Sequence, residues 1–124
     1  MSRIETKSFT SLLAWKRAHA LSLLVYAVTK KFPIDERFGL IDQLRRASVS
    51  VSSNISEGFG RRTPGDKAYR YSLAVSSLYE VQNQLLISRD VGFLAQKDFM
   101  EAAGLSVECG KLTNLLIAAI NKSL

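Results

Sequence analysis

Two arginine pairs, Arg45–Arg46 and Arg61–Arg62, stand at the two ends of a serine-rich stretch that reads QLRRASVSVSSNISEGFGRR. Guanidinium groups carry fixed charge and forked N–H donors, so the chemistry they offer is binding of phosphate or carboxylate. Arg61 and Arg62 are the strongest candidates. They directly precede Thr63, Pro64 and Asp66, which read as a helix start: a threonine cap, a proline in the first helical position and an acidic residue in the first turn. A phosphate there would meet both guanidinium groups and the free backbone N–H groups of a helix end, less the one that Pro64 lacks. Arg45 comes next, and Lys16, Arg17, Lys30 and Lys31 are outer contacts.

No pattern supports catalysis. His19 is the single histidine and Cys109 the single cysteine: no Cys/His pairing has metal-ligand spacing, no serine stands in GxSxG, and the lone histidine leaves no second candidate for a base. GFGRRTPGDK, from Gly58 onward, has glycines and a lysine but not the order of a phosphate-binding loop. Glu57 and Asp66 are the nearest approach to a paired carboxylate, and capping and ion pairing account for both. No enzyme activity, cofactor or metal is expected.

The formal charge of +6 lies wholly in the first half, since residues 1–62 carry a net +6 and residues 63–124 a net zero. A one-sided basic face is the footprint of a nucleic-acid-binding protein. Ordinary basicity is the alternative. The lone cysteine agrees with a reducing compartment. The polar start, MSRIETKSF, has no apolar middle of the kind a signal peptide needs. The uninterrupted apolar runs fall short of the ~20 residues that span a bilayer. A cytoplasmic protein with no membrane partner is expected.

The elements that must position the arginines are helices. Leu40, Leu44, Ala47, Val51 and Ile55 recur at helical spacing and predict a buried stripe. Arg46, Ser50, Asn54 and Glu57 form a polar stripe beside it, either a hydrogen-bonded seam in which Arg46 and Glu57 pair or a solvated flank. Gly58 and Gly60 are expected to close this helix through positive φ. The reading is all-α: an up-down antiparallel four-helix bundle in one domain, with helices at about residues 10–31, 35–58, 64–90 and 96–121 and a frayed tail over residues 1–8. Asp35 is the expected cap of the second helix.

The first helix presents Leu12, Trp15, Ala18, Leu21, Val25, Val28 and Phe32 to the core. Leu13, Leu24 and Tyr26 lie off that stripe, as a face for a helix of another subunit or as ordinary exposed apolar groups. The third helix has its seam at Ala74, Leu78, Val81, Leu85 and Ser88, and Gly92 is its stop. Tyr69, Tyr71 and Tyr79 read as packing groups ahead of base-stacking platforms. The fourth has Phe99, Ala103, Ser106, Cys109, Leu112, Leu116 and Ile120.

The central motif, QLRRAxxSVxxNIxEGxGR, resembles a family first described from open reading frames inside rRNA intervening sequences, the 23S rRNA-intervening-sequence proteins. The match extends to LxAWxxAxxL at residues 12–21, FPxDExFGL at 32–40 and SLxE at 77–80. It covers about residues 9–94, and the last helix matches in pattern only. The resemblance implies an up-down bundle associated into a ring-shaped homopentamer. It also implies binding of RNA, such as rRNA, or DNA, by analogy with the similarly folded accessory protein of diversity-generating retroelements. The alternative is a scaffold or accessory subunit that contacts another protein and no nucleic acid.

Overall fold

The computed structural model describes residue 4 and residues 8–123. Residues 1–3, 5–7 and 124 lie outside the described residues, and with them most of the expected tail. Four helices follow in order: α1 Leu13–Thr29, α2 Leu40–Gly60, α3 Pro64–Asp90 and α4 Gln96–Ser123, with single 3-10 turns at Phe9–Ser11 and Ile34–Glu36. No strand occurs among the described residues. Each helix packs on its sequence neighbours, and α1 also packs on α4. The link from α1 to α2 spans ten residues, longer than the three to five expected. Ser50 with Ser77 and Glu57 with Arg70 pair α2 with α3 in opposite directions, as Arg17 with Glu108 and Lys31 with Asp98 pair the α1 side with α4, which gives an up-down four-helix bundle.

The helical stripes of α2 and α3 bury as their spacing predicts. Leu44, Ala47, Val51 and Ile55 of α2 meet Tyr71, Ala74, Leu78, Val81 and Leu85 of α3 in one continuous core. In α1 the buried set is Ala14, Ala18, Leu21, Val25 and Val28, followed by Phe32. Leu12 and Trp15 are only half-buried, because α1 starts later than expected. Ser8 accepts a hydrogen bond from the Thr10 N–H and closes the 3-10 turn, Leu12 is extended, and Phe9 folds back with its ring 5.4 Å from that of Trp15.

The second helix also starts later. Asp35 caps nothing: it lies in the Ile34–Glu36 turn, and the residue before α2 is Gly39, which supplies no side-chain cap. At the other end α2 runs to Gly60, and neither Gly58 nor Gly60 has positive φ. The helix is closed instead by extended Arg61 and by Lys67, whose Nζ donates to the carbonyls of Gly58 (3.3 Å) and Phe59 (2.7 Å). Among the described residues only Gly92 has positive φ, at 88°. There it ends α3, with Phe93 and Leu94 N–H groups returning to the Ser88 carbonyl at 2.9 and 3.1 Å.

On α4 the buried residues are Phe99, Ala102, Ser106, Cys109 and Thr113, a heptad-like series that keeps Phe99, Ser106 and Cys109 of the expected stripe and takes Ala102 and Thr113 in place of Ala103 and Leu112. Ala103, Leu112, Leu116 and Ile120 are half-buried at its edge. Cys109 Sγ lies 3.4 Å from the Ala14 carbonyl oxygen, so α1 begins opposite the middle of α4. The last turns of α4 run past α1. By length and mean hydropathy, residues Gln96–Lys122 form the one described helix apolar enough to cross a bilayer. Its centre nevertheless carries Glu108 and Lys111, and Glu108 pairs with Arg17 of α1 at 2.6 Å.

Candidate nucleic-acid interface

Arg61 and Arg62 form the three-residue turn between α2 and α3 with Thr63. The start of α3 is built as its sequence dictates: the Thr63 hydroxyl accepts from the Asp66 N–H at 3.1 Å, and Pro64 occupies the first turn. Both arginines are exposed, and neither forms an ion pair among the described residues. Arg61 lines a shallow cavity of about 190 Å³ together with Asp66, Tyr69 and Arg70. Arg62 lies outside it.

The other expected cations are not equivalent to this pair. Arg45 is half-buried and already engaged: its Nε donates to Thr29 Oγ1 at 2.9 Å, and its guanidinium lies 4.6 Å from the centre of the Tyr26 ring. Arg17 is held by Glu108, and Lys31 approaches Asp98 at 3.8 Å. Lys16 and Lys30 are exposed and unpaired among the described residues. Lys30 and Lys31 sit at the α1–α2 end of the bundle, and Arg61 and Arg62 at the opposite end. The 21 residues of α2 separate the two ends by about 30 Å. Arg61 and Arg62 thus share one end of the bundle, with Lys16 and Arg17 nearer that end of α1, while Lys30 and Lys31 lie at the other end.

The polar stripe of α2 divides. Ser50 Oγ lies 2.9 Å from Ser77 Oγ of α3, and Asn54 Nδ2 donates to the Ser50 carbonyl at 2.9 Å. These two form a half-buried seam. Arg46 and Glu57, by contrast, do not pair. Eleven helical residues put them about 16 Å apart, beyond side-chain reach. Arg46 is 79% exposed and bonds Asp42 one turn away at 2.9 Å, whereas Glu57 accepts from Arg70 Nη1 of α3 at 3.1 Å.

Sequence reasoning missed Lys67, which holds the end of α2, and the grouping of Tyr69 and Arg70 with Arg61. The signal was present. Asp66, Tyr69 and Arg70 stand at i, i+3 and i+4, so they share the face of α3 that adjoins the turn.

The remaining reactive groups serve packing. Burial pushes the Cys109 thiol up to about 11, with the Thr113 hydroxyl acting in the other direction and the Glu108 charge adding to the rise. Burial likewise raises the Tyr71 hydroxyl. His19 is stacked on Trp15 at 4.7 Å. The described residues contain no group of three or more His, Cys, Asp or Glu able to hold a metal ion.

Among solved structures the chain is similar to a protein of unknown function from the S23 ribosomal protein family of Bacteroides thetaiotaomicron. The TM-score is 0.78 at 16% identity, over 86% of this chain and 96% of that one. At that identity the likeness establishes the shared fold alone. Among curated proteins none matches. Residues 10–115 match the model of the family described as 23S rRNA-intervening sequence protein. That span takes in α1, α2, α3, most of α4 and the arginine turn, and the chain belongs to the 23S rRNA-intervening sequence protein family.

Proposed function

We propose that the protein is a non-enzymatic, cytoplasmic homo-oligomer that binds RNA or DNA without strong sequence choice, using the Arg61–Arg62 turn of each subunit. The observation that carries this reading is the pair itself. The guanidinium groups of two consecutive arginines stand exposed and, among the described residues, without an ion pair at one end of the bundle, while Arg17, Lys31, Arg45, Arg46, Arg70 and Arg89 are all engaged within the chain. The family's name, tied to 23S rRNA intervening sequences, supports RNA as the first ligand to test.

Self-association rests on apolar surface. Leu23 of α1 and Leu115 of α4 are 60% and 65% exposed, and Leu13, Tyr26, Met100 and Val107 add to the same two helices. Exposed large apolar groups occur on α2 and α3 too, and α1 and α4 are chosen because they pack on each other along the bundle, so that their exposed groups can form one contact surface. The count of five subunits rests on the family resemblance. A ring would repeat each arginine turn, so modest sites would act together.

These apolar faces also support the scaffold reading, in which the partner is another protein. A titration of labelled rRNA fragments at two salt concentrations separates the two. Binding that weakens as salt rises supports the nucleic-acid reading. No binding at the lower salt moves the assignment to a protein partner.

A further inference from the structure

We infer that the cavity beside the arginine turn takes a single unpaired base, stacked on Tyr69, so that the ligand is single-stranded nucleic acid rather than duplex. This rests on the proposed nucleic-acid function and specifies its ligand. Tyr69 is 60% exposed, whereas Tyr71 on the same helix is 4% exposed and packed in the core. Of the other exposed rings, Tyr26 is covered by Arg45, Phe38 by Arg37 and Phe59 by Lys67. Tyr79, 67% exposed, is uncovered like Tyr69, but it lines a different cavity with Gln82, Lys111 and Asn114, whereas Tyr69 shares its cavity with Arg61 of the turn. The Tyr69 ring has no cation or ring partner among the described residues.

The surroundings of Tyr69 favour a base over a phosphate. The cavity of about 190 Å³ that it lines with Arg61, Asp66 and Arg70 is smaller than the roughly 300–1,000 Å³ of pockets that enclose free small molecules. It suits one group projecting from a larger molecule. The Asp66 carboxylate repels phosphate but accepts hydrogen bonds from the N–H groups of a base edge. Arg61 lies on the same cavity, and Arg62, next in the chain and exposed, adds a second charge for the flanking phosphates. In a duplex the bases are paired and stacked on one another, so a tyrosine face has nothing to stack on. In a single strand every base offers its own face.

The test is fluorescence anisotropy with a labelled adenine-rich RNA strand of about 15 nucleotides, the same strand annealed to its complement, and the same strand as DNA. Tyr69→Ala should weaken single-strand binding between about fivefold and a hundredfold and leave duplex binding unchanged. Tyr69→Phe should keep the parent affinity, since it keeps the ring. Equal losses on the RNA and DNA strands assign the site to both, and a loss on one alone assigns it to that one. The inference is overturned if Tyr69→Ala matches the parent on the single strand, if strand and duplex weaken alike, or if Tyr69→Phe falls with Tyr69→Ala. Failure of the parent to bind any of the three probes overturns the underlying function as well. Because Tyr69 is exposed, circular dichroism should be the same for all variants.

Discussion

Gly58 of α2 lies against the ring of Tyr71 of α3, so closely that a methyl group on Gly58 would sit 2.6 Å from Tyr71 Cε1 and 2.7 Å from Cδ1. The glycine serves helix–helix approach, not a turn: it is helical, and its neighbour in the fold is a buried aromatic ring that cannot retreat. Gly58→Ala should therefore destabilise the protein by about 1–3 kcal/mol through overpacking, despite the better helix propensity of alanine. Gly110→Ala on α4 is the control. Its added methyl would meet Leu78 Cδ1 at 3.7 Å, an ordinary contact. It should stabilise by up to about 1 kcal/mol. Urea denaturation of both variants checks the opposite signs.

Arg45 and Arg46 should separate as sharply in spite of adjacency. Arg45→Ala removes the bond to buried Thr29 and the contact over Tyr26, and should cost about 1–2 kcal/mol. Arg46→Ala breaks only an exposed pair with Asp42, and should change stability by less than about 0.5 kcal/mol. Equal denaturation midpoints for the two variants would contradict the assignment.

Cys109 should be inert in the folded protein. With the thiol pushed up to about 11, its thiolate fraction near pH 8 is on the order of one in a thousand. The group is also buried against Ala14 of α1. A thiol reagent at about pH 8 should leave the native protein essentially unlabelled and should add one label per chain in denaturant. Rapid native labelling would show that α1 and α4 are not packed as described.

Self-association should depend on the exposed apolar groups of α1 and α4. Changing Leu23 and Leu115 together to glutamate should reduce the mass found by light scattering coupled to size exclusion, with helicity unchanged. The parent is expected as a pentamer at micromolar concentration. A monomeric parent would contradict self-association, and a dimer or tetramer would contradict only the count.

Much of the bundle was legible in the sequence because local and tertiary demands agree there. The stripes of α2 and α3 are wide and regular, and Thr63-Pro64 marks a helix start that nothing else competes with. The misreadings fall where distant contacts decide. The spacing that puts Arg46 and Glu57 on one stripe says nothing of three intervening turns, nor of Asp42 and Arg70 standing nearer. Gly58 carries the same signature whether it serves a turn or a crossing helix, and only Tyr71 distinguishes them. Asp35 has the chemistry of a cap, but the 3-10 turn postpones α2 to Leu40. On α4 the spacing finds Phe99, Ser106 and Cys109, but the choice of Ala102 and Thr113 over Ala103 and Leu112 is made by the helices packed against it. At the site, Arg61 and Arg62 were legible as charge, whereas the cavity with Tyr69 and Asp66 depends on how α3 lies beside the turn.

The central claim is that Arg61 and Arg62 bind phosphate, and the salt dependence of binding tests it most directly. Affinity for a labelled rRNA fragment is measured across a salt series for the parent and for the variant with both arginines changed to alanine. For the parent, log K should fall with log salt at a slope of about −0.7 to −0.9 for each phosphate contacted. The double variant should bind all sequences more weakly and give a flatter slope, with oligomer mass and helicity unchanged. A double variant with the parent's affinity and slope, or a parent that binds nothing at low salt, would contradict the account.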